Sequence, residues 1–138
     1  MGFHHELPIR YGEVDMQRVV FNAHYLAFID DAMDRWMRTL DADFEALGWD
    51  FMVKRAEIEW FAGAGIGDVI ELECEIARWG TTSFDVRFAI HVGERPVASA
   101  LVTYVGVEAG TSVPNAPPAA VRAHLGEPGP GTPAPTVT

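Results

Sequence analysis

Cysteine is nearly absent from this sequence, since Cys74 is the only one in 138 residues. A single cysteine excludes an internal disulfide and any structural zinc site built from several cysteines. Cys74 stands among apolar positions of a predicted strand, so we expect a buried and inert thiol rather than a nucleophile.

Basic residues are also scarce, with 10 Lys and Arg against 20 Asp and Glu and a formal net charge of -10. No segment concentrates the basic residues, so binding to nucleic acid or to an anionic membrane surface is not expected. No apolar run approaches the ~18 residues that a membrane-spanning helix needs. The first residues, MGFHHE, show no basic segment followed by an apolar one, so we predict no secretory signal and a cytoplasmic location.

The composition instead fits one globular domain, with 49% hydrophobic and 22% charged residues. A chain of this length can bury one ordinary core but not two. After Glu108 the sequence is dominated by Pro, Gly, Ala and Thr, and such segments bury too little apolar area to offset the entropy of ordering. We therefore predict a single domain over residues 1–125 and a disordered Pro/Gly-rich tail over residues 126–138.

An amphipathic pattern between Asn22 and Leu40 predicts the one long helix of the chain. Apolar residues recur there with the i, i+3, i+4, i+7 spacing of a helix that is buried along one face. Such a helix runs for roughly 27 Å and needs a sheet to cover its apolar side. The apolar positions are Tyr25, Leu26, Phe28, Ile29, Ala32, Met33, Trp36, Met37 and Leu40.

Five segments carry strand signals, one before the helix and four after it. The clearest alternates Ile70, Leu72, Cys74 and Ile76 with glutamates, which indicates one buried and one solvated face. The others are residues 5–14, 51–61, 84–90 and 96–107. The order predicts an α+β domain in which a curved, mainly antiparallel five-stranded sheet wraps around one long helix.

The junction between the first strand and the helix carries the residues with chemical character. Arg10-Tyr11-Gly12-Glu13-Val14-Asp15 is followed by Val19-Val20-Phe21-Asn22-Ala23 and then by Tyr25, and Gly67-Asp68 and Ser83-Phe84 come later. This pattern resembles the hotdog-fold 4-hydroxybenzoyl-CoA thioesterase family over roughly residues 5–125. The resemblance implies a thioester hydrolase that acts on acyl-CoA, with Asp15 as the catalytic acid. The backbone amide of Asn22, at the helix start, would bind the thioester carbonyl.

The roles of Asp15 and of the Asn22 amide that the resemblance implies fit the chemistry of thioester hydrolysis. Thioester hydrolysis needs a group that attacks the carbonyl or deprotonates water, and donors aimed at the developing oxyanion. The unpaired amides of a first helical turn are such donors. The sequence leaves open whether Asp15 is a nucleophile or a general base. Each residue also has a structural alternative. Asp15 could form only a turn, and Asn22 could be only the N-cap of the helix, because both residue types are common in those positions.

Two positions depart from the family pattern. Relatives commonly have Gly three residues after the acid, where this chain has Arg18, so the turn must be built with a side chain present. Asn22 stands where these enzymes often have His or Tyr and acyl-carrier-protein thioesterases often have Asn. A carrier-protein thioesterase is therefore one alternative, and a non-catalytic acyl-CoA-binding module, supported mainly by Arg18, is another. A dehydratase is less well supported, because no His accompanies the acid.

The remaining candidate residues concern substrate binding. By the family pattern Tyr25 would lie near the acyl channel, although its helical spacing also fits the core. Arg55, Arg78 and Arg87 are candidates for the coenzyme A phosphates, because a polyanion needs charge-assisted donors. Glu13 is expected to form a salt bridge with Arg10 or Arg18 rather than to act as a second catalytic carboxylate.

No metal or cofactor is predicted, and coenzyme A enters only as part of the substrate. His4 and His5 precede Glu6, but adjacent strand residues point to opposite faces, so they do not suggest a metal site. The resemblance also implies a homodimer or homotetramer, with two sheets joined edge to edge and the pocket completed by the partner subunit.

Overall fold

The computed structural model describes residues 2–41 and 44–131 and shows a five-stranded sheet around a long helix. The strand order is β1-β3-β4-β5-β2, and every neighbouring pair is antiparallel. The predicted α+β architecture is confirmed. In chain order the elements are β1 (Phe3–Pro8), a 3-10 turn (Tyr11–Glu13), α1 (His24–Arg38), α2 (Phe44–Leu47), β2 (Trp49–Trp60), β3 (Val69–Trp79), β4 (Ser83–Val92), β5 (Arg95–Glu108) and α3 (Ala119–Leu125).

The core lies between the inner face of the sheet and α1. The apolar stripe of α1 is buried as its spacing predicts, from Tyr25 to Met37. Along β3 and β4 buried apolar residues alternate with partly exposed polar ones, because successive side chains of a strand point to opposite faces. We call the side of the sheet opposite α1 the outer face. Its charged residues on these two strands include Glu71, Glu73, Glu75, Asp85 and Arg87.

The positions of β5 and β2 in the sheet differ. β5 lies between β4 and β2, which accounts for its apolar character on both faces. β2 forms one edge of the sheet over 12 residues. Its side chains Met52, Val53 and Trp60 are 49%, 49% and 43% exposed, so this edge presents unpaired backbone groups together with apolar surface.

The first strand is shorter than predicted. The pairing of β1 with β3 ends at Pro8, and the next residues form the 3-10 turn rather than continuing the strand to Val14. The reason is local, because the carboxylate of Glu13 accepts a hydrogen bond from the backbone N–H of Arg10 (2.7 Å). Such short-range side-chain bonds compete with a strand ladder, and periodicity does not reveal them.

The first residues of the predicted tail lie beside β3, beyond the end of β1. The backbone N–H of Gly129 donates to the carbonyl of Ile76 (3.0 Å), and the indole N–H of Trp79 donates to the carbonyl of Gly126 (2.9 Å). Of the tail predicted over residues 126–138, residues 132–138 lie outside the described part of the chain. No helix among residues 2–41 and 44–131 is long and apolar enough to cross a membrane.

Candidate active site

Asp15 opens a tight turn in the segment between β1 and α1. Its backbone N–H donates to the carbonyl of Val19 (2.9 Å), and its carbonyl accepts from the N–H of Arg18 (2.9 Å). The side-chain Oδ1 accepts from the N–H of Gln17 (2.8 Å). Within the described chain Oδ2 accepts no hydrogen bond, so one carboxylate oxygen of Asp15 is available to a ligand.

Arg18 completes this turn with a φ of 66°, the only positive φ among the non-glycine residues that the structure describes. A side chain in this left-handed region costs roughly 1–2 kcal/mol, whereas glycine adopts it freely. The backbone therefore takes the conformation that a glycine at this position would permit. The departure at Arg18 changes the side chain and leaves the turn intact, which weakens the sequence argument for a non-catalytic module.

Arg18→Val is expected to be less stable than Arg18→Gly by roughly 1–2 kcal/mol, because a β-branched side chain is strained most at positive φ. Urea denaturation of both variants measures the difference. Replacing the neighbouring exposed residue Gln17 by Val provides a control, since its φ is not in the left-handed region. Equal stabilities of the Val and Gly variants at residue 18 would show that the turn carries no such strain.

A cleft of about 520 Å³ opens beside Asp15. One wall comes from the Asp15 turn and the other from the glycine-rich segment after β2. The two approach closely, because a Cβ on Gly65 would lie 2.9 Å from the carbonyl oxygen of Arg18, and one on Gly63 would lie 2.7 Å from a methyl group of Val19. The glycines are therefore needed for the close approach. The lining residues are Tyr11, Val14, Asp15, Arg18, Gly65 and Ile66.

Glu13 holds this segment in place and is not a second free carboxylate. Its side chain is buried and accepts hydrogen bonds from Nε (3.1 Å) and Nη2 (2.6 Å) of Arg10. The hydrogen bonds from Arg10 hold the pKa of Glu13 below its usual value, against the opposing effect of burial. The salt bridge predicted for Glu13 thus forms with Arg10.

The helix start lies next to the acid in the same loop. The N–H of Phe21 donates to the carbonyl of Glu13 (3.0 Å), which holds the segment entering α1 beside the segment that leads to Asp15. Asn22 follows directly and is exposed. Within the described residues its backbone N–H donates no hydrogen bond, and its side chain does not cap the helix, for which Ala23 is the N-cap residue.

The structure therefore places Asp15 and Asn22 in one loop, although only Asp15 lines the cleft. Tyr25 lies in the core with 1% of its surface exposed, and its ring packs edge-on against Phe28 (5.6 Å between centroids) and Trp60 (6.2 Å). Burial raises the pKa of the Tyr25 hydroxyl. Its position corresponds to the core alternative rather than to the wall of this cleft.

The three predicted arginines do not meet at the cleft. Each is paired with a carboxylate: Arg55 with Glu57, Arg78 with Asp85 (2.9 Å) and Arg87 with Glu75 (3.0 Å). The cation in the cleft is Arg18, and Arg95 lies nearby through its ion pair with Asp68 (3.1 Å), which also accepts the N–H of Gly65. Arg55 meets Glu57 within its own strand, whereas the partners of Arg78 and Arg87 depend on the register of β3 with β4, which the sequence does not reveal.

A second cavity of about 550 Å³ lies between α1 and the sheet. The hydroxyl of Tyr104 is buried there without a hydrogen-bond partner among the described residues. Asp30 is exposed, but partial desolvation beside the sheet raises the pKa of its carboxyl. The sequence pattern missed both, since Asp30 falls on the polar side of the helix and Tyr104 in an apolar strand. The lining residues are Asp30, Met33, Asp34, Met37, Asp50, Phe51, Met52, Val53 and Tyr104.

Comparison of the sequence and the structure with known proteins identifies relatives of this chain. A sequence profile described as the thioesterase-like superfamily matches residues 9–125. The acyl-CoA thioesterase YbgC of Haemophilus influenzae is 27% identical over 128 residues, which cover 88% of this chain and 93% of the relative.

Solved structures show the same fold. One from Pseudomonas aeruginosa strain PAO1 is 25% identical, with a TM-score of 0.81 over 89% of this chain and 88% of that chain. A Staphylococcus aureus protein in complex with CoA is 14% identical, with a TM-score of 0.81 over 91% of this chain and 82% of that one. The profile match includes Asp15, Asn22 and every element from the 3-10 turn to α3.

Proposed function

Because the chain belongs to the thioesterase-like superfamily, we propose that it hydrolyses acyl-CoA thioesters to a carboxylic acid and free CoA. The predicted family resemblance is confirmed by the profile match, the prediction of a thioester hydrolase by the acyl-CoA thioesterase relative, and the hotdog fold by the likeness to solved structures. The observation that carries the proposal is the free carboxylate oxygen of Asp15 at the cleft, at the position where the family pattern has its acid.

In the proposed reaction, Asp15 attacks the thioester carbonyl or takes a proton from the attacking water. The C–S bond then breaks, the acyl group leaves as a carboxylic acid, and a proton passes to the CoA sulfur. If Asp15 attacks directly, a mixed anhydride forms first and water hydrolyses it. Water, the thioester and the chain's own groups suffice for either route, so no further cofactor is needed.

The proposed oxyanion donor is the backbone N–H of Asn22. Asn22 is exposed, its amide is unpaired within the described chain, and it lies just before the 15-residue helix α1. The helix dipole adds partial positive charge at this end. A carbonyl oxygen bound here is stabilised more strongly as it becomes negative, which is what acceleration of the reaction requires.

The CoA phosphates need cationic partners. Arg55, Arg78 and Arg87 stay predictions for this role, and each would have to exchange its present carboxylate partner for a phosphate. We add Arg18 to these candidates, because its side chain is exposed and lines the cleft beside Asp15.

We propose that a partner subunit covers the cleft. Apolar side chains around it are largely exposed in the single chain, with Tyr11 at 88%, Met16 at 100% and Ile66 at 59%. Exposed apolar groups gathered around a functional cleft indicate an interaction surface. The β2 edge offers backbone pairing in addition, so a homodimer, or a homotetramer built from it, explains both surfaces.

Light scattering is expected to give at least a dimeric mass, and Val53→Asp is expected to lower that mass. Val53 lies on the β2 edge, where a carboxylate would be buried against the partner. Val113→Asp is the matched control, since Val113 is similarly exposed (56%) but lies outside β2. A monomeric mass for the unaltered protein would contradict the proposed assembly.

A thiol-release assay over straight-chain, branched and aryl acyl-CoAs tests the function directly, and saturable hydrolysis of at least one of them is expected. Comparison with the corresponding carrier-protein thioester separates the two kinds of thioesterase. If acyl-CoA binds saturably and no thiol is released across the panel, the chain is a binding module and the proposal is wrong.

A further inference from the structure

Imidazoles and carboxylates gather on the outer face of the sheet, where β1, β3 and β4 lie side by side. The strand register places His4 opposite Glu73, Glu6 opposite Glu71, and Glu71 opposite His91. These five residues form what we call the His4 cluster. None of them lines the cleft at Asp15.

Three atoms of the His4 cluster are spaced like the ligands of a metal ion. Nε2 of His4 lies 3.2 Å from Oε1 of Glu6 and 3.5 Å from Oε1 of Glu71. All three atoms lie within 4.8 Å of one another. Ligand atoms at about 2.0–2.2 Å from a tetrahedral zinc ion are about 3.3–3.6 Å apart, so the two distances from Nε2 of His4 suit a shared ion.

The neighbouring groups hold these ligands in the orientation that a metal requires. Oε1 of Glu73 lies 2.5 Å from Nδ1 of His4, which turns Nε2 towards Glu6 and Glu71. Without a metal, Nε2 shares a proton with Oε1 of Glu6 (3.2 Å), and a bound ion would take the place of that proton. The backbone N–H of Gly93 donates to Oε2 of Glu71 (3.2 Å) and leaves Oε1 free. Metal-bound histidines and carboxylates are commonly supported by such outer hydrogen bonds.

The charge of the cluster also favours a cation. Within the described residues, the carboxylates of Glu6, Glu71 and Glu73 form ion-pair contacts only with His4 and His91, and none of them pairs with Lys or Arg. The cluster therefore holds three carboxylates and no lysine or arginine, on a protein that carries a net charge of -10. Elsewhere on the outer face, by contrast, Glu75 and Asp85 each face an arginine.

We propose that His4, Glu6 and Glu71 bind one divalent transition-metal ion of the zinc class, with Glu73 as a positioning residue and His91 closing one side of the site. One imidazole and two carboxylates suit Zn²⁺, Co²⁺ or Mn²⁺, and the exposed side leaves a position for water. The ion joins the edge strand β1 to β3. This site is structural and independent of the proposed thioesterase activity.

The sequence alone predicts no such site, because His4 and His5 point to opposite faces. The structure has that arrangement, with His5 turned towards α1 and 2.7 Å from the carboxylate of Asp31. His5→Gln is therefore a matched control, since it removes an imidazole next to His4 from the other face of the same strand.

The experiment titrates zinc chloride into the untagged full-length chain after removal of metals with a chelator. Calorimetry is expected to show one ion bound per chain, together with a higher melting temperature. Co²⁺ is expected to give visible d–d absorption when it binds at the same site. Titration with no heat, no shift in melting temperature and no absorption would overturn the proposal.

The variants locate the site. Glu71→Gln and His4→Gln are expected to weaken zinc binding at least tenfold, Glu73→Gln by roughly 10–100-fold, and His5→Gln not measurably. The circular dichroism spectrum and the thiol-release rate are expected to be unchanged in all four variants. Both measurements then show that each variant is folded. Zinc binding that survives Glu71→Gln in the folded protein, or that is lost equally in His5→Gln, would place the metal elsewhere and refute the assignment.

Discussion

Asp15→Asn is expected to lower kcat for acyl-CoA hydrolysis by roughly 10²–10⁴-fold, the usual contribution of a positioned acid or base. Asparagine is nearly isosteric and keeps an oxygen that accepts the hydrogen bond now made by the N–H of Gln17 to Oδ1 (2.8 Å). The turn therefore survives, while the charge and the basicity are lost. Steady-state thiol release with saturating acyl-CoA measures the effect.

This substitution separates the two roles that the sequence leaves open for Asp15. If the residue only forms the turn, Asn performs that function and activity stays at the level of the unaltered enzyme. Asp31→Asn is a suitable control, because Asp31 is a partly exposed carboxylate on α1 that contacts His5 and Arg35 and not the cleft. Full activity of Asp15→Asn would refute the proposed mechanism even if the chain is a thioesterase.

Trp49→Ala is expected to cost about 3–5 kcal/mol of unfolding free energy, as large aromatic deletions in a core commonly do. Trp49 is fully buried at the start of β2, with its ring against Phe51 (5.6 Å between centroids) and Phe84 (6.1 Å). Its indole N–H also donates to the carbonyl of Asn115 (3.1 Å), which the substitution leaves without this donor. Chemical denaturation measures the loss.

Trp60→Ala provides the comparison, because Trp60 ends the same strand but is 43% exposed. Less apolar area leaves water at this position on folding, so a smaller loss is expected. Both variants should be compared at one protein concentration, since an oligomer's stability depends on it. Equal losses for the two substitutions would mean that burial in the single chain does not govern their contributions.

The periodic features of the fold could be read from the sequence. The i, i+3, i+4 stripe from Tyr25 to Met37 and the alternation of Ile70 to Ile76 with glutamates each reflect which face of an element meets the core. Because burial of one face decides which residues are apolar, the pattern can be read from a short stretch of sequence. The catalytic role of Asp15 came instead from the resemblance of a short motif to the thioesterase family, and it stays a prediction. The early end of β1 was missed, because a hydrogen bond from Arg10 to Glu13 competes there with the strand ladder.

Contacts between distant residues were decided only by the tertiary structure. The spacing of Trp36, Trp49 and Trp60 did not show which are buried, and nothing near Asp30 in sequence pointed to Tyr104 across the second cavity. Arg78 and Arg87 each gained a carboxylate partner only through the register of β3 with β4. Arg55, by contrast, pairs with Glu57 on its own strand. His4 lies more than 60 positions before Glu71 and His91 in the sequence. The pairing of β1 with β3 and of β3 with β4 brings the three residues together. The sequence thus determined the long helix and the strands, because local patterns specify them, while the resemblance of one motif predicted the acid. The tertiary structure determined which charges meet, because register and packing are properties of the whole chain.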